Sequence, residues 1–195
     1  HTPDYSSHTG AQPTIALTMS TLRHIPYAEQ SLRHRNEIRG NDDNISFGNG
    51  YLGGMELFKK TVGIVGIGSI GLCQARLYAA FGCRLIGWSR RPKSVFLEAP
   101  IHGTQVPTLE DVFDEADIVV ISLGLNDHTN GIITRNLMER LRPTNVLINI
   151  ARSQLVDQTA MIELLSERRL RAGQDVIHIE PVPHNDPILT KIPAN

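Results

Sequence analysis

Short apolar runs alternate with amphipathic stretches along most of this chain. Thr61-Val62-Gly63-Ile64-Val65 is apolar enough for a buried strand and runs directly into Gly66-Ile67-Gly68-Ser69-Ile70-Gly71. An amphipathic segment follows to Phe81, Gly82 stops it, and a second apolar run leads to Ser89-Arg90-Arg91. The pattern predicts a strand, a glycine turn, a helix and a second strand. It then predicts a short capped helix over 108–115, a buried strand over 117–123 and a helix over 135–141 closed by Arg142-Pro143. A strand over 146–150 follows, then a helix over 157–168 with Asp157 near its cap, and a last strand or its remains over 172–179. Upstream, residues 1–13 are polar and turn-rich. Ser6 or Ser7 is placed to cap a helix through Ile15, Leu17, Met19 and Leu22, which Pro13 should delay or kink. The glycine- and asparagine-rich stretch 36–54 reads as an exposed loop.

Strands alternating with helices imply a parallel sheet, so the expected fold is α/β, a Rossmann-type doubly wound sheet. Two units are expected: an N-terminal helical arm and loop over 1–54, and a cofactor-binding domain over 55–195. Ligands in such sheets sit beyond the carboxyl ends of the strands. The loops that matter therefore start at Gly66, Gly87, Leu123, Asn149 and Val176.

Each glycine of the turn has a mechanical role. Gly66 permits the tight exit from the strand, Gly68 lets backbone approach a pyrophosphate, and Gly71 lets the helix pack closely on the sheet. Phosphates would then meet free N–H groups at the positive end of a helix dipole. Dinucleotide folds usually carry an acid about 20 residues further on, where it binds the ribose 2′-hydroxyl. Here Ser89 stands eighteen positions beyond Gly71, followed by Arg90 and Arg91. A small hydroxyl beside guanidinium groups suits a 2′-phosphate, which a carboxylate would repel. Hydrogen bonds to charged groups contribute about 1.5–3 kcal/mol each, enough for one contact to shift cofactor choice by roughly ten- to a hundredfold. The expectation is NADP(H) over NAD(H). With Pro92 and Lys93 next in line, a solvated basic turn is the competing reading.

Composition narrows the classes. A hydrophobic content of 41% with 20% charged residues is that of a globular chain, and a net charge of −1 offers no surface for nucleic acid. Cys73 and Cys83 are too few for a disulfide scaffold and read as small buried side chains in a reducing, cytoplasmic setting. No apolar run approaches the ~20 residues of a membrane helix, and the scattered histidines form no metal-ligand pattern.

Two loops carry chemistry. Ala151-Arg152-Ser153 follows one strand, and Ile177-His178-Ile179-Glu180-Pro181 follows the last. An arginine there can hold a carboxylate and polarise a carbonyl, while a glutamate can orient a histidine acid/base. Arg152 could instead pair with Asp157, and Glu180 could be a surface charge. Arg168, Arg169 and Arg171 read as a solvated helix end.

These blocks, together with Thr2-Pro3-Asp4-Tyr5-Ser6, Ala116-Asp117-Ile118-Val119, Thr129-Asn130-Gly131, Leu147-Ile148-Asn149-Ile150-Ala151-Arg152, Leu155-Val156-Asp157 and Asp175-Val176, resemble the cofactor-binding domain of the D-isomer-specific 2-hydroxyacid dehydrogenases. The resemblance runs through nearly the whole chain. It implies hydride transfer between the nicotinamide and C2 of a 2-keto or 2-hydroxy acid, with Arg152 as substrate arginine and Glu180 orienting the catalytic histidine. It further implies that Asp175 binds the carboxamide, Ser69 and Ile70 meet the pyrophosphate, and Ser89 selects at the ribose. Leu123, Ile150, Ala151 and Arg152 would lie over the cofactor. A homodimer is implied through the apolar face from Ile15 to Leu22.

The departures are specific. The chain stops just short of the family's Pro-His segment, His128, His178 and His184 lie outside that motif, and the family's substrate domain has no counterpart. Gly10 and Pro13 replace apolar or helix-compatible residues, Ser122-Leu123-Gly124-Leu125 lacks the frequent histidine and proline, and Ser153 replaces a glycine. Two classes of function are thus expected: an oxidoreductase domain, or a catalytically silent dinucleotide-binding module. The 195-residue polypeptide alone should bind cofactor weakly and turn over no substrate. Efficient glyoxylate or hydroxypyruvate reduction in a steady-state assay of this polypeptide would overturn that expectation.

Overall fold

The computed structural model describes residues 5–34 and 54–192. The chain opens with α1 (Tyr5–Leu22) and α2 (Ile25–His34). The alternating region then runs β1 (Thr61–Val65), α3 (Ser69–Ala80), β2 (Arg84–Trp88), α4 (Ser94–Leu97), β3 (Thr104–Gln105) and α5 (Leu109–Glu115). It continues through β4 (Ile118–Ile121), α6 (Arg135–Arg140), β5 (Val146–Asn149), α7 (Gln158–Ser166), β6 (Arg171–Gln174) and α8 (Pro187–Thr190). All six strands are parallel, in the order β3-β2-β1-β4-β5-β6. After β3 the chain crosses back over β1 to begin β4, so the loops leaving β1 and β4 diverge around a crevice. This is the expected doubly wound sheet.

Two apolar layers sandwich it. Val119, Ile121 and Leu147 point to the side covered by α5, α6 and α7, while Ile118, Val120, Val146 and Ile148 point to the side covered by α1, α3 and α4. Strand side chains alternate faces, so a sheet buried on both sides needs unbroken apolar runs, and the strand cores supply them. Local chemistry sets several helix starts. Thr108 and Asp111 form a reciprocal capping box on α5, Thr134 caps α6, and the Asp157 carboxylate accepts from the Ala160 N–H to cap α7.

The N-terminal segment departs most from expectation. Ser6 and Ser7 lie inside α1 rather than capping it, and the helix runs unbroken past Pro13. An interior proline removes one backbone hydrogen bond, costing roughly 3 kcal/mol. Thr9, whose carbonyl is left free, is exposed to water, and the tertiary contacts of the helix offset the remainder. Those contacts are with α3, β5 and β6. The fully buried residues are Ala11, Thr14, Thr18 and Leu22, whereas Ile15, Leu17 and Met19 are half-buried. The threonines bury because they are paired: Thr14 Oγ1 accepts from Gln74 Nε2 at 2.8 Å, and Thr18 Oγ1 bonds the Tyr78 hydroxyl at 2.6 Å. Burial pushes the Tyr78 phenol well above its usual range. Of the face expected to seek a second subunit, Leu22 is fully buried in this chain's own core, while Ile15, Leu17 and Met19 stay half-buried beside it.

Other differences are smaller. The last strand ends at Gln174, because β5 ends at Asn149 and offers no further ladder partner beyond the bond from Asp175 N–H to Asn149 O. Ile177 and Ile179 are exposed beyond it. Arg171 belongs to β6 rather than to a solvated helix end, and its guanidinium lies 3.4 Å from His24 Nε2. Cys83 is only partly buried; its thiol donates to the Leu57 carbonyl, and desolvation pushes it up to about 11. The loop expected over 36–54 lies outside the described residues apart from Gly54. Among the described residues no helix is long and apolar enough to cross a membrane.

His24, at the α1–α2 junction with φ 52°, generates a pH prediction. Burial, reinforced by Arg171, holds its imidazole below the ordinary value of 6.5. The unfolded chain therefore binds this proton more readily than the folded one. The stability from keeping His24 neutral is complete above pH 6.5 and is lost as pH falls through the folded value. His24→Asn, which tolerates positive φ, should lose less denaturant-measured stability between about pH 7.5 and about pH 5 than the unsubstituted chain. Equal losses would exclude His24 as the source.

Candidate functional site

The crevice between the β1 and β4 loops is lined by two adjoining cavities. The first, of about 430 Å³, is bounded by Gly66 and Gly68 on one side, Ser122–Gly124 on another, and Ser89, Arg90, Arg91 and Lys93 on a third. The second, of about 330 Å³, is bounded by Ile70, Ile150, Ala151 and Arg152. Ser122, Leu123 and Gly124 line both.

The turn between β1 and α3 is shaped by space. Gly66 has φ +105°, and a Cβ there would stand 2.8 Å from the Ser122 carbonyl. A Cβ on Gly71 would stand 2.2 Å from the Gly66 carbonyl oxygen, so only glycine lets α3 start this close to the strand. Gly68 is different. Its Cβ would meet nothing within 4 Å, so no protein atom demands a glycine there. It is also the N-cap of α3 and supplies no side-chain hydrogen bond to the helix. An uncapped helix start facing an open cavity fits a phosphate group, which accepts from the N–H groups that a cap would otherwise satisfy. The residues present therefore fit a dinucleotide. Ser69 and Ile70, exposed at this helix start, stand beside the gap.

The β2 loop supplies cations. Ser89 Oγ donates to the Arg91 carbonyl at 2.7 Å, closing a tight turn that leaves both arginines exposed. Among the described residues, neither forms an ion pair. Lys93 lines the same wall, and His128, from the loop after β4, lines the cavity as well. From sequence, Lys93 counts only toward the competing solvated turn and His128 only as a histidine outside the expected motif, because neither has a spacing that ties it to the glycine turn. Gln105 on β3 was missed for the same reason. Its amide bonds Ser89, Arg91 and Lys93 across the sheet edge.

The β4 loop is held from behind. Ser122 Oγ donates to Gln74 Oε1, and Gln74, fully buried on α3, donates through its Nε2 to Thr14. This relay ties the wall shared by the two cavities to α1. On the β5 side, Asn149 is 1% exposed; its Oδ1 accepts from Ala151 N–H and its Nδ2 donates to Arg152 O, both at 3.0 Å. These bonds shape the turn that presents Arg152. The competing Arg152–Asp157 pair does not form; Asp157 Oδ1 accepts from Ala160 N–H and caps α7. The guanidinium instead donates to the Ala151 carbonyl and stays exposed in the second cavity.

The sequence-derived residues thus separate into groups. Gly66, Gly68, Ser89, Arg90, Arg91 and Leu123 meet around the first cavity. Ile70, Leu123, Ile150, Ala151 and Arg152 meet around the second. Ser69 adjoins them and Gly71 acts through packing. Asp175 and Glu180 are exposed on the loop after β6 and line neither cavity.

Comparison with known proteins agrees with this geometry. The model of a family described as D-isomer specific 2-hydroxyacid dehydrogenase, NAD binding domain, matches residues 15–193. A glyoxylate reductase of Pyrococcus furiosus is 34% identical over 182 residues, covering 93% of this chain and 53% of the reductase. A crystal structure of a Thermus thermophilus protein superposes with a TM-score of 0.83 at 29% identity, covering 98% of this chain and 57% of that one. An acyclic imino acid reductase in complex with NADPH and D-Arg gives a TM-score of 0.78 at 27% identity, over 97% and 56%. The chain spans about half the length of the relatives it matches.

The glycine contacts make opposite predictions for two neighbours. Gly71→Ala should lower stability by about 1–3 kcal/mol or more, since backbone must move. Gly68→Ala should change it by less than ~0.5 kcal/mol. Thermal melts of both variants decide this, and comparable losses would refute the spatial argument.

Proposed function

We propose, since this chain belongs to the D-isomer-specific 2-hydroxyacid dehydrogenase family through its NAD-binding domain, that it serves hydride transfer between a nicotinamide dinucleotide and a small 2-keto or 2-hydroxy acid, with NADP(H) preferred over NAD(H). The observation that carries the binding half is Gly68, a glycine no protein contact requires, at the uncapped start of α3. The preference for the phosphorylated cofactor is supported by Arg90, Arg91 and Lys93 on the wall of that same cavity. Three cations there favour a dianionic 2′-phosphate through charge-assisted hydrogen bonds.

When bound, the nicotinamide donates or accepts a hydride. The chain's own residues bind and orient. Ser69 and Ile70 would meet the pyrophosphate through backbone, Leu123, Ile150 and Ala151 would cover the cofactor, and Asp175 would take the carboxamide. Arg152 would hold the substrate carboxylate in bidentate fashion; its exposed guanidinium beside Leu123 and Ile150, without an acidic partner among the described residues, supports this. Glu180 would act as a positioning residue for a histidine acid/base, on the strength of the family resemblance. The relatives named above with a stated activity are reductases, which favours this reading over a silent binding module. The same proposal takes 1–54 as an arm on a cofactor domain over 55–195. It takes the two free cysteines as support for a cytoplasmic setting, and the half-buried Ile15, Leu17 and Met19 as support for a homodimer.

Fluorescence titration tests the cofactor claim. NADPH should bind more tightly than NADH, and Arg90→Ala/Arg91→Ala should weaken NADPH about tenfold or more while leaving NADH within about twofold. Equal affinities in the unsubstituted chain would sink the preference. For the substrate, glyoxylate should raise the Tm of the NADPH-loaded chain, and Arg152→Ala should abolish that rise. A rise that survives Arg152→Ala would remove Arg152 from the site.

A further inference from the structure

The cations of the β2 loop are not borne on regular structure, so something must hold them in one arrangement. Ser89 through Lys93 follow the last residue of β2 and precede α4. Among the described residues, the side chain whose hydrogen bonds reach this segment from outside it is that of Gln105, on the edge strand β3, whose backbone pairs with Gly87. Its Nε2 lies 3.2 Å from Ser89 O, 3.2 Å from Ser89 Oγ and 3.1 Å from Arg91 O. Its Oε1 accepts from the Lys93 N–H at 2.9 Å. Acceptors cluster on one side of the amide and a donor stands on the other, so the orientation of the carboxamide is set by its partners. One side chain therefore fastens the residue before the arginines, the second arginine, and the lysine after them.

We infer that Gln105 is the specificity-determining positioning residue of this site, fixing the Ser89–Lys93 segment so that Arg90, Arg91 and Lys93 present an anion cradle to the ribose 2′-phosphate of the cofactor. The inference rests on the preference proposed above. Its physical basis is preorganisation. Long cationic side chains on a free loop lose conformational entropy when they converge on one phosphate, and a loop already fastened at three points loses less. The amide is also a chemically apt clamp. Being neutral, it adds no charge that would oppose a phosphate, whereas a carboxylate of similar reach would keep the bond from Lys93 N–H, lose all donation to Ser89 and Arg91, and repel the ligand. Gln105 touches no catalytic group named here, so its effect should be confined to the phosphorylated cofactor.

The test titrates NADPH and NADH against the 195-residue chain and its Gln105→Leu and Gln105→Glu variants, with far-UV circular dichroism on each. The expected result is that Gln105→Leu lowers the NADPH-over-NADH preference by about fivefold or more while the NADH Kd moves by less than about twofold, and that Gln105→Glu lowers it further. NADH binding reports independently that the fold and the glycine turn are intact, and the glutamate variant keeps the test open if the leucine variant does not fold. A preference unchanged in the variants, with the unsubstituted chain still favouring NADPH, overturns the inference and leaves the proposed preference standing. Parallel loss of both cofactors also overturns it, since that is the mark of a merely structural role. Equal binding of NADPH and NADH by the unsubstituted chain overturns the preference itself and the inference with it.

Discussion

The close approach of three backbone segments at the end of β1 is the constraint on which the rest of the structure depends. Gly66 lies against the Ser122 carbonyl at the end of β4, and Gly71 lies against the Gly66 carbonyl. Neither position has room for a Cβ. This contact brings the α3 N-terminus to the point where the strand order reverses, so that an uncapped helix start and two diverging loops face one crevice. The residues that line the two cavities are arranged around that junction. A methyl group at Gly71 would push the helix outward and open the cradle at its base.

The junction is braced from behind by polar contacts. Gln74 connects Ser122 of the cavity wall to Thr14 of α1, and Tyr78 connects the same pair of helices through Thr18. Buried polar groups are costly when unpaired and directional when paired. An apolar interface between α1 and α3 could slide by a turn at modest cost, whereas this one loses its hydrogen bonds if it shifts. The N-terminal helix is thereby registered to the loop that separates the two cavities. The same pairing explains how a helix with an interior proline and several threonines is retained as a packed element.

Charge allocation shapes the two ends of the site. Asp157 caps α7 and makes no bond to Arg152, whose guanidinium stays exposed at the second cavity. At the first cavity, Arg90 and Arg91 are left exposed while neutral groups, Ser89 and Gln105, make the bonds that shape the loop. Ion pairing is used on the outer surface instead, as between Arg140 and Asp114 or Arg84 and Glu115. Among the described residues, Arg90, Arg91 and Arg152, which face the crevice, take no part in that pairing.

How much of this was legible in the chain follows from the range of each interaction. The β1–glycine–α3 unit, the caps at Thr108 and Asp157, the buried runs of β4 and β5 and the Arg152 turn are written in contiguous residues, because turn sterics, capping and strand periodicity act over a few positions. The identities of Gly66, Gly71 and Ser89 announced their places for that reason. Other features required partners distant in sequence. Thr14 and Thr18 lie outside the apolar positions that the sequence singles out on this helix, and they are buried because Gln74 and Tyr78 stand opposite them. Pro13 looks disruptive until three elements pack on its helix. Residues 176–179, apolar but for His178, look like strand until the neighbouring β5 runs out at Asn149. Gln105, in a stretch without period or motif, acquires meaning only when β3 pairs with β2 and carries it over the Ser89 turn. The sequence by itself determined the order of the elements and the glycine turn at which the crevice opens; tertiary structure decided which polar groups are buried and what holds the loops around the crevice, because those depend on long-range pairing.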